Sequence, residues 1–466
     1  MPRPWLAPAI VLAAMAAAVL LNPLGYRGGG ADDWHYLEAA RCAAAQGLCP
    51  PPVHWWARWT LVAPMGAALA LLGESRWVVG LVPLFYAALA LTCFTLLVQR
   101  QFGRAEAIVA GALLAVTPVV AFFYLQPNID MPEFAFLLAG ALAFQSAARG
   151  GRTVWAVVAG VLIGLAILTR PTALAALPML GLFILMHPPL RRLALPVALG
   201  LALPVLAEAL TYWLWLGDPL HGWRLALGHA AIASDELPAG FQSARGPLFN
   251  PDYIDAWRRA MEIRVHWTID PVLNLLANPQ MGLLLVAAYA LALAKRPAGP
   301  AVRWLLGASL IWFVCLSYVL AVDPKPRMFL PLAAAAATIA GIQFVRLRGS
   351  WRVWLAALLL GAVGLLSLVR IRNEANISAL EPVAAAWATA DPGFAVEART
   401  SRFLTLVPGI AGRPATGPRL LQIAFERCEA ASRGRRVERS YYLEQNGEMA
   451  ALCLFSRAGP AAPPPR

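Results

Sequence analysis

Eleven apolar runs constrain this chain more than any other feature: residues 5–24, 77–98, 106–125, 133–148, 153–169, 171–187, 193–216, 272–294, 303–322, 328–345 and 351–370. A helix rises about 1.5 Å per residue, so a hydrocarbon layer of about 30 Å calls for about 20 apolar residues. The composition agrees, with 60% hydrophobic and 14% charged residues, against about 45–50% and about 25% in an ordinary soluble domain. The expected fold class is a mainly α, polytopic membrane protein with about eleven transmembrane helices, interfacial helices and a small C-terminal α/β domain outside the membrane.

The first run, 5–24, follows Arg3 and exceeds the ordinary signal-peptide core of about 7–15 residues, so it is read as an uncleaved first span. The stretch Leu61 to Leu72 is too short to cross and is expected to lie in the interface or dip into it. Charge decides between the two topologies that differ by this stretch. With eleven spans and the N-terminus inside, the inner segments carry Arg3, Arg100, Arg104, Arg149, Arg152, Arg191, Arg192, Lys295, Arg296, Arg303, Arg346, Arg348 and Arg352, with Glu106 their only acid. That is the positive-inside arrangement, and it accounts for the net charge of +13 without nucleic acid. No basic stripe with stacking aromatics supports a nucleic-acid partner. Apart from Glu106 and Glu208, every Asp and Glu then falls in an outer loop, at an outer helix end or in the tail, so any acid–base chemistry belongs outside.

Two outer loops are long, 25–76 and 217–270, and both mix Trp, Tyr and His with charge in the manner of interfacial helices. The membrane domain is expected over 1–370. From Arg370 onward nine acids and thirteen basic residues appear, with Gly-Pro turns, and 371–466 is expected to form a small outer domain with a disordered Pro-rich tip. Cys93 and Cys315 sit singly in apolar runs, whereas Cys42 and Cys49 share the first outer loop and Cys428 and Cys453 share the tail. In an oxidising compartment each polar pair can form one disulfide; four free thiols are the alternative.

The residues able to do chemistry follow from that topology. Asp32 and Asp33 are adjacent carboxylates at a membrane edge, beside a loop rich in aromatics that also carries His35, His54 and Arg58. Either can simply cap the helix beginning near Trp34, but paired carboxylates also drive each other's pKa apart, which suits a general base. Asp130 stands in the turn Gln126-Pro127-Asn128-Ile129-Asp130-Met131-Pro132-Glu133, where a carboxylate at membrane depth must face protein or water. Arg76, Arg170, Lys325 and Arg327 are the cations of the short outer loops. They can snorkel to lipid headgroups, or together supply the fixed positive charge a phosphate leaving group requires. The histidines show no metal spacing, and no Gly-rich phosphate loop occurs. No cofactor is expected, and a divalent metal is not readable.

Asp32-Asp33-Trp34-His35-Tyr36 resembles the Asp-Glu-x-x-Tyr motif in the first outer loop of the GT-C glycosyltransferases, in particular the family 39 group of protein O-mannosyltransferases and aminoarabinose transferases. The similarity continues through His54, standing in a His-Pro-Pro-Leu element whose prolines are here Trp55-Trp56, through Glu74-Ser75-Arg76, Asp130 and Leu168-Thr169-Arg170-Pro171, to Pro326-Arg327-Met328-Phe329-Leu330-Pro331. It covers about the first 345 residues in order. The resemblance implies an inverting transferase that moves a sugar from a polyprenyl-phosphate carrier to a glycan, lipid or protein acceptor on the outer face. It implies Asp32 as base, Asp130 as its helper, Arg76, Lys325 and Arg327 on the carrier phosphate, and Arg170, His54 and Arg58 nearby. The Ala, Arg and Pro bias suggests a bacterial inner membrane and undecaprenyl phosphate. A transporter or flippase is the rival reading, and an envelope assembly protein a second. Transporters usually place ionisable groups near the midplane, where only Glu208 lies here.

Overall fold

The computed structural model describes residues 4–21, 32–227, 268–294, 299–319, 326–346, 351–373, 377–407, 409–410, 412–445 and 448–456. Most of the outer loop expected at 217–270, Lys325 and the Pro-rich tip lie outside the described residues. Five described helices are long and apolar enough to cross a membrane: Arg76–Gln101, Asp130–Gly150, Pro188–Leu216, Pro300–Val319 and Pro326–Arg346. Shorter apolar helices accompany them, among them Leu6–Leu20, Thr153–Thr169 and Pro171–Met186. The protein is an integral membrane protein of mainly α structure.

Two expected spans are not continuous helices. The run 106–125 divides into Arg104–Ala115 and Pro118–Phe122, with Thr117 extended at φ −67°, ψ 130° between them. Pro118 supplies no N–H and disfavours helix at the residue before it, and hydropathy does not register either effect. The run 272–294 likewise divides into Asp270–Leu276 and Gly282–Ala294. Helix Trp59–Leu72, expected at the interface, has 14 residues and so reaches about 21 Å, short of the bilayer core.

Helix Leu330–Arg346 is the centre of the bundle: fourteen of its 17 residues are buried, six of them alanines that let neighbouring backbones approach. Between lipid-like surfaces packing must come from such close contact rather than from the hydrophobic effect. Helices Thr153–Thr169 and Ala194–Leu216 use glycine for it. A Cβ on Gly160 would run into the carbonyl oxygen of Val197, and one on Gly200 into that of Val157, so the two backbones touch reciprocally.

Residues 377–456 carry a four-stranded sheet in the order β1-β2-β4-β3, with β1 Ala395–Val396, β2 Arg419–Ala424, β3 Arg436–Gln445 and β4 Glu448–Ser456. β1 pairs with β2 in parallel and the other pairs are antiparallel, Leu421 lying opposite Leu454. A separate apolar core forms between this sheet and helix Glu381–Ala390 from Leu380, Ala384, Val396, Phe403, Leu421, Leu452 and Leu454. Both polar cysteine pairs are disulfides, Cys42–Cys49 and Cys428–Cys453, while Cys93 and Cys315 are free.

Candidate active site

Four elements distant in sequence bring their polar ends together. Asp32 is the first residue of helix Asp32–Gln46, and Asp33 the next; both carboxylates fall in the first turn, where negative charge opposes the helix dipole favourably. Asp130 is the first residue of helix Asp130–Gly150, whose start is fixed when Asn128 Oδ1 accepts a hydrogen bond from Met131 N–H at 2.9 Å. Arg170 follows helix Thr153–Thr169 in an extended conformation, φ −155°, ψ 125°, as expected before Pro171. Arg327 lies in the short helical turn Pro326–Phe329.

Arg327 joins the two acids. Its Nη2 donates to Asp32 Oδ2 at 3.0 Å, and its Nε stands 3.4 Å from Asp130 Oδ2. The other Asp130 oxygen, Oδ1, accepts from Arg170 Nη1, so a carboxylate only 2% exposed is flanked by two guanidinium groups. Burying that charge unpaired would cost several kcal/mol, so the pairing is a condition of folding as well as a feature of the site. One turn on, the buried Glu133 accepts from Thr172 Oγ1 at 2.8 Å.

Asp32 has a second fixed partner: Trp55 Nε1–H donates to Oδ1 at 3.1 Å. The Trp55 ring is held between imidazoles, 4.2 Å from His35 and 3.8 Å from His54 by ring centroids. Burial lowers the His35 pKa and the Arg402 charge adds to this, against the opposing pull of Glu38, Asp32 and Asp33. The buried Tyr36 phenol is pushed up, first by burial and then by the Asp32 charge.

Arg58 is 8% exposed and its Nε has no hydrogen-bond partner among the described residues. Burial lowers its pKa, and its electrostatic neighbours are Tyr36, Arg170, Glu208 and Tyr212. It borders a small open cleft that also reaches Pro171, Glu208 and Trp223.

Of the nine residues singled out in the sequence, Asp32, Asp130, Arg170 and Arg327 form one cluster through direct contacts. His54 is one ring removed, Arg58 lies alongside Arg170, and Asp33 adjoins Asp32 in the same turn. Arg76 is elsewhere: it forms an ion pair with Glu381 at the start of helix Glu381–Ala390. Its neighbour Glu74 is bonded by Arg41, Nε to Oε1 at 3.0 Å, and Arg41 also donates to Thr405 O at 3.2 Å. These contacts tie the C-terminal region to the loop between the first two apolar runs. Lys325 lies outside the described residues. Sequence reasoning missed Trp55 and Thr172, whose roles depend on partners far away, and passed over Glu133, which its spacing of three from Asp130 on one helix face would have flagged. Among the described residues no three His, Cys, Asp or Glu side chains gather as a metal site.

Residues 51–215 match the family described as dolichyl-phosphate-mannose-protein mannosyltransferase. Among solved structures, the chain is similar to ArnT from Cupriavidus metallidurans bound to undecaprenyl phosphate, with 17% identity, a TM-score of 0.52, and coverage of 96% of this chain and 97% of that one. The chain has the fold of the GT-C glycosyltransferases. A second GT-C neighbour is the Archaeoglobus fulgidus oligosaccharyltransferase in its apo form, at 15% identity and TM-score 0.53, covering 89% of this chain and 65% of that one. A third is AglB from the same organism in complex with an inhibitory peptide and a dolichol-phosphate, at 14% identity and TM-score 0.51, covering 88% and 61%. None of the curated proteins matches the sequence. The cluster sits where two helix starts meet the Arg170 and Arg327 turns.

Proposed function

We propose that the protein is an inverting glycosyltransferase that takes a sugar from a polyprenyl-phosphate carrier and passes it to an acceptor hydroxyl on the outer face of a bacterial inner membrane. The observation that carries this reading is the Asp32–Arg327–Asp130–Arg170 cluster, which sets a carboxylate base against two cations at the polar ends of membrane helices. The acceptor oxygen attacks the anomeric carbon and its proton passes to Asp32. The bond from that carbon to the phosphate oxygen breaks, and polyprenyl phosphate leaves with the bonding electrons. The leaving group gains negative charge, which Arg327 and Arg170 are positioned to oppose, with Lys325 as the sequence-based third cation. Asp130 keeps both guanidinium groups in place, and Asp33 tunes or caps beside the base. Arg76 acts in this reading by fastening the C-terminal domain over the outer loop.

The same reading places the N-terminus inside, 1–370 in the membrane and 371–466 outside. The two disulfides support it, because both fall in segments assigned to the oxidising side. Purified protein supplied with radiolabelled polyprenyl-phosphate sugars and an envelope extract should transfer label to an acceptor. Movement of carrier across vesicles with no transfer would favour the flippase instead. Cysteines introduced at Gly30 and Ser350 should react from opposite sides of the membrane, and outer access to Ser350 would overturn the topology.

A further inference from the structure

Arg41 takes no part in the reaction outlined above, yet it stands on the helix that begins with the base, Asp32–Gln46. Its guanidinium makes three kinds of contact at once. Nε donates to Glu74 Oε1 at 3.0 Å and Nη2 to the same carboxylate at 2.5 Å, a forked grip that a lysine cannot reproduce. Nη2 also donates to the backbone oxygen of Thr405, at 3.2 Å, in the C-terminal region. The same group lies over the ring of Trp34, 5.6 Å from its centroid, two residues beyond Asp32. The helix's other anchors are small: its buried side chains are Tyr36, Leu37, Ala39 and Ala40, and a Cβ on the facing Gly66 would lie 2.7 Å from that of Ala43. Alanine against glycine allows close approach but interlocks little.

The C-terminal side of this contact is itself fixed. Arg76, two residues beyond Glu74, pairs with Glu381, and Leu406, next to Thr405, packs against the core of the helix bundle. Burial first and then the Arg402 charge lower the His35 pKa, which puts the same C-terminal segment beside the first turn of the helix.

We infer that Arg41 is a positioning residue for the base: by gripping Glu74 and the Thr405 carbonyl it sets the tilt of helix Asp32–Gln46, and with it the place of the Asp32 carboxylate. The docked C-terminal region thereby belongs to the catalytic geometry; the inference rests on the transferase reading. At about 1.5 Å per residue Arg41 stands about 13 Å along the axis from Asp32, so a tilt of about 5° about Arg41 carries the carboxylate about 1 Å. A shift of that size stretches the bonds from Arg327 at 3.0 Å and Trp55 at 3.1 Å beyond hydrogen-bond range. Misplacement by about 1 Å can cost about 100-fold in rate. The Arg41 and Glu74 side chains are 28% and 35% exposed, so their pairing adds little to stability, and its loss is felt in turnover rather than in folding.

The test uses the full-length protein in detergent, radiolabelled undecaprenyl-phosphate sugars and an envelope extract. Arg41→Gln should lower transfer at saturating carrier about 10- to 100-fold, with the KM for the carrier and the binding of bare undecaprenyl phosphate unchanged. Glu74→Ala releases the same grip from the other side and should act in the same direction, a second variant should the first fail to fold. The deciding measurement adds Asp32→Asn. With the base gone its position no longer matters, so Arg41→Gln should cost no further activity, whereas a general structural defect would multiply with the loss of the base. Multiplying losses, or wild-type transfer by Arg41→Gln while Asp32→Asn is impaired, would overturn the positioning role and leave the transferase reading standing. A wild-type protein that transfers none of the sugars would overturn both.

Discussion

Removing one hydrogen bond from the base isolates the contribution of its orientation. Trp55→Phe keeps a ring between His35 and His54, so the stack at 4.2 and 3.8 Å survives, while the Nε1–H that meets Asp32 Oδ1 at 3.1 Å is lost. A hydrogen bond to a charged group is worth about 1.5–3 kcal/mol. The Asp32 side chain is 43% exposed, so water replaces part of the loss and the low end, about 1.5 kcal/mol, applies. At about 1.4 kcal/mol per tenfold, kcat for sugar transfer should fall about tenfold. The KM for the carrier should stay nearly constant, since Arg327 and Arg170 are untouched, and Tm should move little. Steady-state transfer with varied carrier, alongside a thermal melt, reads all three. A KM that rises while kcat holds would assign Trp55 to carrier binding and refute its role in aiming Asp32.

Further predictions concern the frame of the site. Gly160→Leu should abolish the Thr153–Thr169 and Ala194–Leu216 crossing, because the Val197 carbonyl already fills the Cβ position; yield of monodisperse protein and Tm should both drop. Cys428→Ser with Cys453→Ser opens a link spanning 25 residues and should destabilise the C-terminal domain by about 3.5 kcal/mol, seen as faster proteolysis of 377–456 with the membrane helices protected. His35, whose folded pKa lies below the ordinary 6.5, is neutral in the fold where the unfolded chain takes up a proton. Its contribution is therefore present above about pH 6.5 and is lost as pH falls through the lowered folded value. Tm measured from pH 8 to pH 5 should fall less steeply in His35→Phe than in wild type.

The membrane helices were legible because lipid demands long apolar runs, a signal that survives without any tertiary knowledge. The break at Thr117 and Pro118 was legible in principle, since the proline is in plain view, but a hydropathy reading treats it as apolar and passes on. Asp32, Asp130, Arg170 and Arg327 could be chosen from type and position at the ends of apolar runs; that one arginine would bridge two acids could not. Arg76 illustrates the limit. A cation beside Glu74 at a membrane edge is read as a phosphate ligand from the sequence, and the fold pairs it with Glu381, a partner nothing local in the sequence announces. Trp55 is the reverse case, an apparent departure from the motif whose indole N–H donates to Asp32. The cysteine pairs were left open by the sequence, between two disulfides and four free thiols, and the fold brings each pair together.

The most direct test of the account is sugar transfer by Asp32→Asn, measured together with carrier affinity. Asparagine keeps the shape of the side chain and removes its capacity to take a proton, so turnover should fall about 10²- to 10⁴-fold. Bound polyprenyl-phosphate sugar should be retained, because the cations remain, and release of free polyprenyl phosphate should fall in step with transfer. Transfer at the wild-type rate by Asp32→Asn would contradict the assignment of Asp32 as the base and with it the central reading of the site.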